Sequence, residues 1–192
     1  MIKHLFIFAL FFTGFIFGQK NEFNLIKLDS TWGQEVLRFP ARDMDYLGVG
    51  EVRFPPNGWI QPAHTFFWSY TYAWNINLNE KITTKELEID LAKYFNSLNN
   101  VNVQDKTDKR ITTATITEIK TENSTTYFEG KVDTFDRFAT NKRFVLNVKI
   151  ESTLCKETQK TVLLFKFSPK EFTHEVWETL NKIELEKGFC LN

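Results

Sequence analysis

Residues Phe66–Leu78 read F-F-W-S-Y-T-Y-A-W-N-I-N-L. Phe66, Trp68, Tyr70, Tyr72, Trp74, Ile76 and Leu78 fill every even position with a large apolar or aromatic side chain. After Phe67, Ser69, Thr71, Ala73, Asn75 and Asn77 fill the odd positions with small or polar ones. Strict alternation is the signature of a β-strand with one heavily loaded face. Extended throughout, the stretch would reach about 43 Å, long for a globular strand.

The rest of the chain supplies neighbours for this strand and helices to cover it. Upstream, residues 19–34 are mixed, and read as irregular or as a short edge strand. Glu35–Phe39 alternates and Pro40 ends it; Gly48–Phe54 alternates again, with Val52 and Phe54 on one side. Pro55-Pro56-Asn57-Gly58 forces a turn, because proline fixes φ and glycine permits positive φ. Downstream, Thr83-Thr84-Lys85-Glu86 is a capping box, and Leu87, Leu91, Tyr94, Phe95 and Leu98 follow at helical spacing, which predicts a helix over 84–98. Four strands come next: Ile111–Lys120, whose broken alternation predicts a bulge, then Tyr127–Phe135, Phe144–Glu151 and Thr161–Phe167. The last is apolar on both faces, as a central strand is. Ser168-Pro169-Lys170-Glu171 reads as a second capping box, opening a helix over 169–187 that Gly188 terminates. The expected class is α+β: a mostly antiparallel sheet of about seven strands, with both helices packed on the even face of the long strand.

The N-terminus bears on the compartment. Lys3 and His4 precede an apolar run from Leu5 to Phe17, and Gly18 offers a small residue before Gln19. That is the pattern of a secretory signal peptide over residues 1–18, leaving 19–192 as one α+β domain. Thirteen residues rise only about 20 Å as a helix, too short for a bilayer span. No other stretch is apolar enough to span one. The 24 basic and 24 acidic side chains balance, so there is no electrostatic footprint for nucleic acid. These features predict an exported protein, periplasmic or extracellular.

Cys155 and Cys190 are the two cysteines. Export places them in an oxidising compartment. Cys155 follows the strand of 144–151, and a helix returning from Ser168 along the next strand would bring Cys190 back beside it. A disulfide is expected, closing a loop of about 36 residues.

Few residues suggest chemistry. Beyond the leader there are two histidines, His64 and His174. A zincin would need a second histidine where Glu178 stands, and Glu171, His174 and Glu178 fit a solvated helix face better than a metal site. Asp133 and Asp136 flank a turn more in the manner of ion-paired surface residues than of an acid/base pair. No phosphate loop or nucleophile elbow occurs. Asn123-Ser124-Thr125 is a glycosylation sequon, which counts only in a eukaryotic secretory route. The aromatic face could form a stacking platform for sugar, but packing beneath helices accounts for it better. The opposite face could line a shallow groove, with Asn75 and Asn77 as hydrogen-bonding groups and Trp59 and His64 at its rim. The reading is therefore a non-catalytic exported protein that binds a small molecule, a glycan or a protein partner, with no cofactor and no metal. The alternative is a hydrolase or other enzyme with a site around His64, Asp133, Asp136 or His174.

Several motifs together carry a resemblance: R-F-P-P-N-G-W at 53–59, F-W-S-Y-T-Y-A-W at 67–74, F-E-G-K-V-D-T-F-D-R-F-A-T at 128–140, L-N-V-K-I at 146–150, L-L-F-K-F-S-P at 163–169, H-E-V-W at 174–177 and G-F-C at 188–190. The chain resembles a family of small exported bacterial proteins over nearly all of residues 19–192. That family has no assigned activity, so the resemblance implies export and a single domain and adds nothing on mechanism.

Overall fold

A computed structural model describes residues 24–191; the expected leader lies outside the described residues. The elements, in order, are β1 (Ile26–Lys27), β2 (Gly33–Ala41), β3 (Met44–Phe54), β4 (Tyr70–Ile76), α1 (Thr84–Leu98), β5 (Thr113–Glu122), β6 (Thr125–Asp136), β7 (Lys142–Cys155), β8 (Lys160–Ser168), α2 (Val176–Leu180) and β9 (Glu184–Leu185). A short 3-10 turn, Phe189–Leu191, follows. β2 to β8 form a seven-stranded sheet in the order β2-β3-β4-β8-β7-β6-β5. Every pairing is antiparallel. Two meanders meet where β4 pairs with β8, Tyr70 opposite Phe167 and Trp74 opposite Leu163. β8 is thus the middle strand, and its residues from Thr161 to Ser168 are buried, as the apolar run on both faces predicted. The expected bulge in β5 falls between Glu118 and Lys120.

The even face of β4 is covered as expected. Trp68, Tyr72 and Trp74 are 0% exposed, and they share one core with Leu87, Leu91, Tyr94 and Phe95 of α1. The predicted capping box starts that helix: the Glu86 N–H donates to Thr83 Oγ1 at 3.2 Å, and the Thr83 N–H donates to Glu86 Oε2 at 2.8 Å. α1 runs antiparallel beside β5. Lys81 meets Glu118, Glu88 accepts from the Ile116 N–H, and Asn96 accepts from the Thr112 N–H. Glu88 and Asn96 thereby occupy backbone donors that this edge of the sheet would otherwise present to other chains. Tyr46 of β3 donates to Asp90 on the same helix at 2.6 Å. Strands from the two sides of the sheet therefore both reach α1, and the sheet curls around it.

The long strand is shorter than its alternation suggests. β4 begins at Tyr70, and Trp68 sits in the left-handed region at φ 51°. That kink breaks the parity: Phe67 packs with the α1 core, while Phe66 packs with the core on the other face. Pro40 does not end its strand; β2 runs through it to Ala41 with a register shift.

The second helix is a larger correction. Residues 169–187 do not form one helix, and they do not lie on the α1 side. α2 has five residues and packs against the odd face. There Val176, Trp177 and Leu180 meet Ala73, Leu164 and the N-terminal residues Leu25, Ile26 and Trp32. Ser168 is not a helix cap; its hydroxyl lies 2.8 Å from that of Ser69. The physical reason is a non-local pairing. After Ile183 the chain extends so that β9 can pair with β1, Ile26 opposite Leu185. A buried carboxylate holds β1 in place from below. Glu51 accepts from the N–H groups of Leu25 and Ile26, from Gln34 Nε2 and from Arg53 Nε. Gly188 therefore ends no helix. It lies at φ 77° just before the 3-10 turn that holds Cys190. The disulfide Cys155–Cys190 is present, with Cα atoms 5.4 Å apart, although extended chain does much of the work expected of a helix. Among the described residues no helix is long and apolar enough to cross a membrane.

Candidate functional site

α1 covers the even face incompletely. At its C-terminal end, between the β2–β4 side of the sheet and two loops, lies a cavity of about 240 Å³. Trp59 organises its wall. The Pro-Pro-Asn-Gly turn, with Asn57 and Gly58 at positive φ, sends the chain out after Phe54 and back. The Trp68 N–H then closes the loop on the Trp59 carbonyl at 2.6 Å. The Trp59 ring stacks on Phe54, with centroids 4.6 Å apart, and meets Trp68 edge-on at 5.5 Å. Tyr70 and Phe138 complete the cage at 6.2 and 6.5 Å. Tyr94 and Leu98 of α1 line the side of the helix, and Glu35, Arg42, Asn100 and Arg137 add polar groups.

Two features mark this cavity as more than a packing defect. The first is backbone strain. Among the described residues eight non-glycine positions have positive φ, and five are Asn or Asp, which tolerate it. The other three are Arg42, Trp68 and Gln159. Arg42 and Trp68 both line the cavity. A left-handed residue of this kind costs about 1–2 kcal/mol, and such costs concentrate at functional sites. Arg42 and Asp43 form the β2–β3 turn with both φ positive, where Asn-Gly is the favourable pair. The second feature is polar. The Trp68 indole N–H, like that of Trp74 in the same core, is buried and has no acceptor among the described residues. An unmade buried hydrogen bond costs about 1–3 kcal/mol. Burial pushes the Tyr70 and Tyr94 phenols up, Tyr94 to about 12, so both stay neutral at ordinary pH. A larger hollow of about 480 Å³ lies by the β5–β6 turn. Its Lys81 is already engaged by Glu118 and Thr121, and no aromatic ring lines it.

The residues singled out from sequence are dispersed. Trp59 lines the cavity, whereas His64, Asn75 and Asn77 do not. His64 Nδ1 accepts from the Phe66 N–H at 3.1 Å. Asn75 is buried on the odd face between Val49 and Val162, and Asn77 is exposed, its N–H donating to the Leu47 carbonyl. His174 Nδ1 accepts from the Val176 N–H at the start of α2. Asp133 pairs with Arg143 at 2.7 Å. Asp136 is fully buried and accepts from the N–H groups of Phe138, Ala139 and Thr140 and from the Thr140 hydroxyl. Burial alone would raise its carboxyl, but these bonds outweigh it and hold the group below the usual range. Asp136 thus shapes the loop that presents Arg137 and Phe138 to the cavity. No hydrogen bond links any two of His64, Asp133, Asp136 and His174, and among the described residues no three metal-ligating side chains cluster. Sequence reasoning missed Glu35, Arg42, Trp68, Tyr70, Tyr94, Arg137 and Phe138 as members of one site. The available signal was Arg-Asp standing where a tight hairpin favours Asn-Gly. No protein-family model matches the chain, and neither a curated protein nor a solved structure matches it.

Proposed function

We propose that the protein is an exported, non-catalytic binding protein whose aromatic cavity takes a small molecule with a flat apolar body. The observation that carries this reading is the Trp59 cage, built around a strained Trp68 whose buried indole N–H has no acceptor among the described residues. Aromatic walls with a few polar groups are the usual make-up of ligand pockets. Each residue of the enzyme alternative is engaged in turn or strand structure, which favours binding over chemistry. Export is supported by the leader-like N-terminus and by the disulfide.

The test is a thermal-shift screen of small metabolites against the wild-type protein and Trp59→Ala in parallel. A native-state ligand raises the midpoint. The proposal expects flat compounds that shift the wild type and leave the variant unmoved. Hits that shift both proteins equally would place binding elsewhere.

A further inference from the structure

We infer that the ligand of this cavity is an aromatic anion, its ring against Trp59 and its carboxylate or similar group held by Arg42 and Arg137. The inference rests on the cavity being a binding site. Two guanidinium groups and a single carboxylate, Glu35, line it. Neither arginine forms an ion pair among the described residues. Both are delivered by organised backbone: Arg42 by the unfavourable hairpin turn, and Arg137 by the loop that Asp136 binds through four hydrogen bonds. Arg137 lies over the Phe138 ring at 5.1 Å, so a cation is carried on the aromatic wall. Burial keeps the Tyr70 and Tyr94 phenols neutral, so they add no negative charge to the site. Glu35 offsets one guanidinium and leaves the other as excess positive charge. A site whose guanidinium groups outnumber its carboxylates selects a negatively charged partner, and guanidinium is the group best shaped to grip a carboxylate.

Isothermal titration with naphthalene-2-carboxylate and its uncharged counterpart 2-naphthamide tests the charge separately from the cavity. The expected result is carboxylate binding at least about tenfold tighter than the amide. In the Arg42→Gln/Arg137→Gln double variant that preference should vanish while amide affinity is kept, which also shows that the variant is folded. Equal affinities in the wild type, or a preference that survives in the double variant, would overturn the anion assignment and leave the cavity reading standing. If neither compound binds up to millimolar concentration, the cavity reading fails and the inference falls with it.

Discussion

The Trp68 N–H donates to the Trp59 carbonyl at 2.6 Å, and the two indole rings meet at 88° with centroids 5.5 Å apart. One hydrogen bond thus closes the loop and sets both rings in the cavity wall, at the cost of a left-handed Trp68. The positive φ yields a test with a definite sign. Trp68→Ala should cost about 3–5 kcal/mol from lost burial. Trp68→Gly should be more stable than Trp68→Ala by about 1 kcal/mol, because glycine carries no penalty at φ 51°. Urea unfolding of the two variants checks this; alanine outranking glycine would mean that the strain is absent.

Asp136 should behave as the anchor of the 137–140 loop and not as an acid. Asp136→Ala removes the acceptor of three backbone N–H groups and should cost about 2–3 kcal/mol. Its pH dependence follows from a folded-state value held below the ordinary 3.8. Below 3.8 the unfolded chain takes up a proton that the folded one resists, so stability rises with pH there. The contribution is complete above 3.8 and lost as pH falls through the folded value. Asp136→Asn should flatten that acid limb in a comparison of unfolding free energies between pH 2 and 5.

Glu51 and Arg53 form an ion pair whose side chains are 0% and 6% exposed, and Glu51 also holds the N–H groups of Leu25 and Ile26. Glu51→Ala leaves a buried guanidinium without its partner and should cost about 3–5 kcal/mol. Replacing both residues with apolar ones of similar size should be less damaging than the single change. Denaturant melts of the single and double variants would show this, and additive losses would contradict it.

The disulfide joins Cys155 to Cys190 across 35 residues and ties the 3-10 turn to the end of β7. The chain-entropy relation gives about 4 kcal/mol for such a loop. Alkylation of the non-reduced protein should leave its intact mass unchanged. Cys155→Ser/Cys190→Ser should melt markedly lower than the parent. Two alkylated thiols before reduction would contradict the bond.

What could be read from the sequence follows the range of the forces involved. α1 is set by local signals, a capping box and an apolar stripe within fifteen residues, and it forms as read. β8 announced its central place by being apolar on both faces. The helix over 169–187 failed because Phe172, Val176, Leu180 and Ile183 do mark an inner side, but the chain beyond Leu180 answers to β1, more than 150 residues away in sequence. The start of β4 failed because alternation continues through a kink held by backbone hydrogen bonds, Trp68 to Trp59, Phe67 to His64 and Ser69 to Phe66, that no local pattern announces. The cavity draws on β2, the β2–β3 turn, the Trp59 loop, α1 and the β6–β7 loop, and no local pattern joins them. Trp59 stood out alone, as a large aromatic residue after a forced turn.

The five tryptophans report separately on the cavity and on the opposite face of the sheet. Trp59 and Trp68 line the cavity, Trp74 lies deeper under α1, and Trp32 and Trp177 belong to the opposite face. Each indole N–H gives its own resonance in a nitrogen-15 correlation spectrum. On titration with naphthalene-2-carboxylate the indole signals of Trp59 and Trp68 should move as the ligand ring enters the cage, while those of Trp32 and Trp177 stay fixed. Movement confined to Trp32 and Trp177, or an unchanged spectrum at saturating ligand, would contradict binding in the cavity.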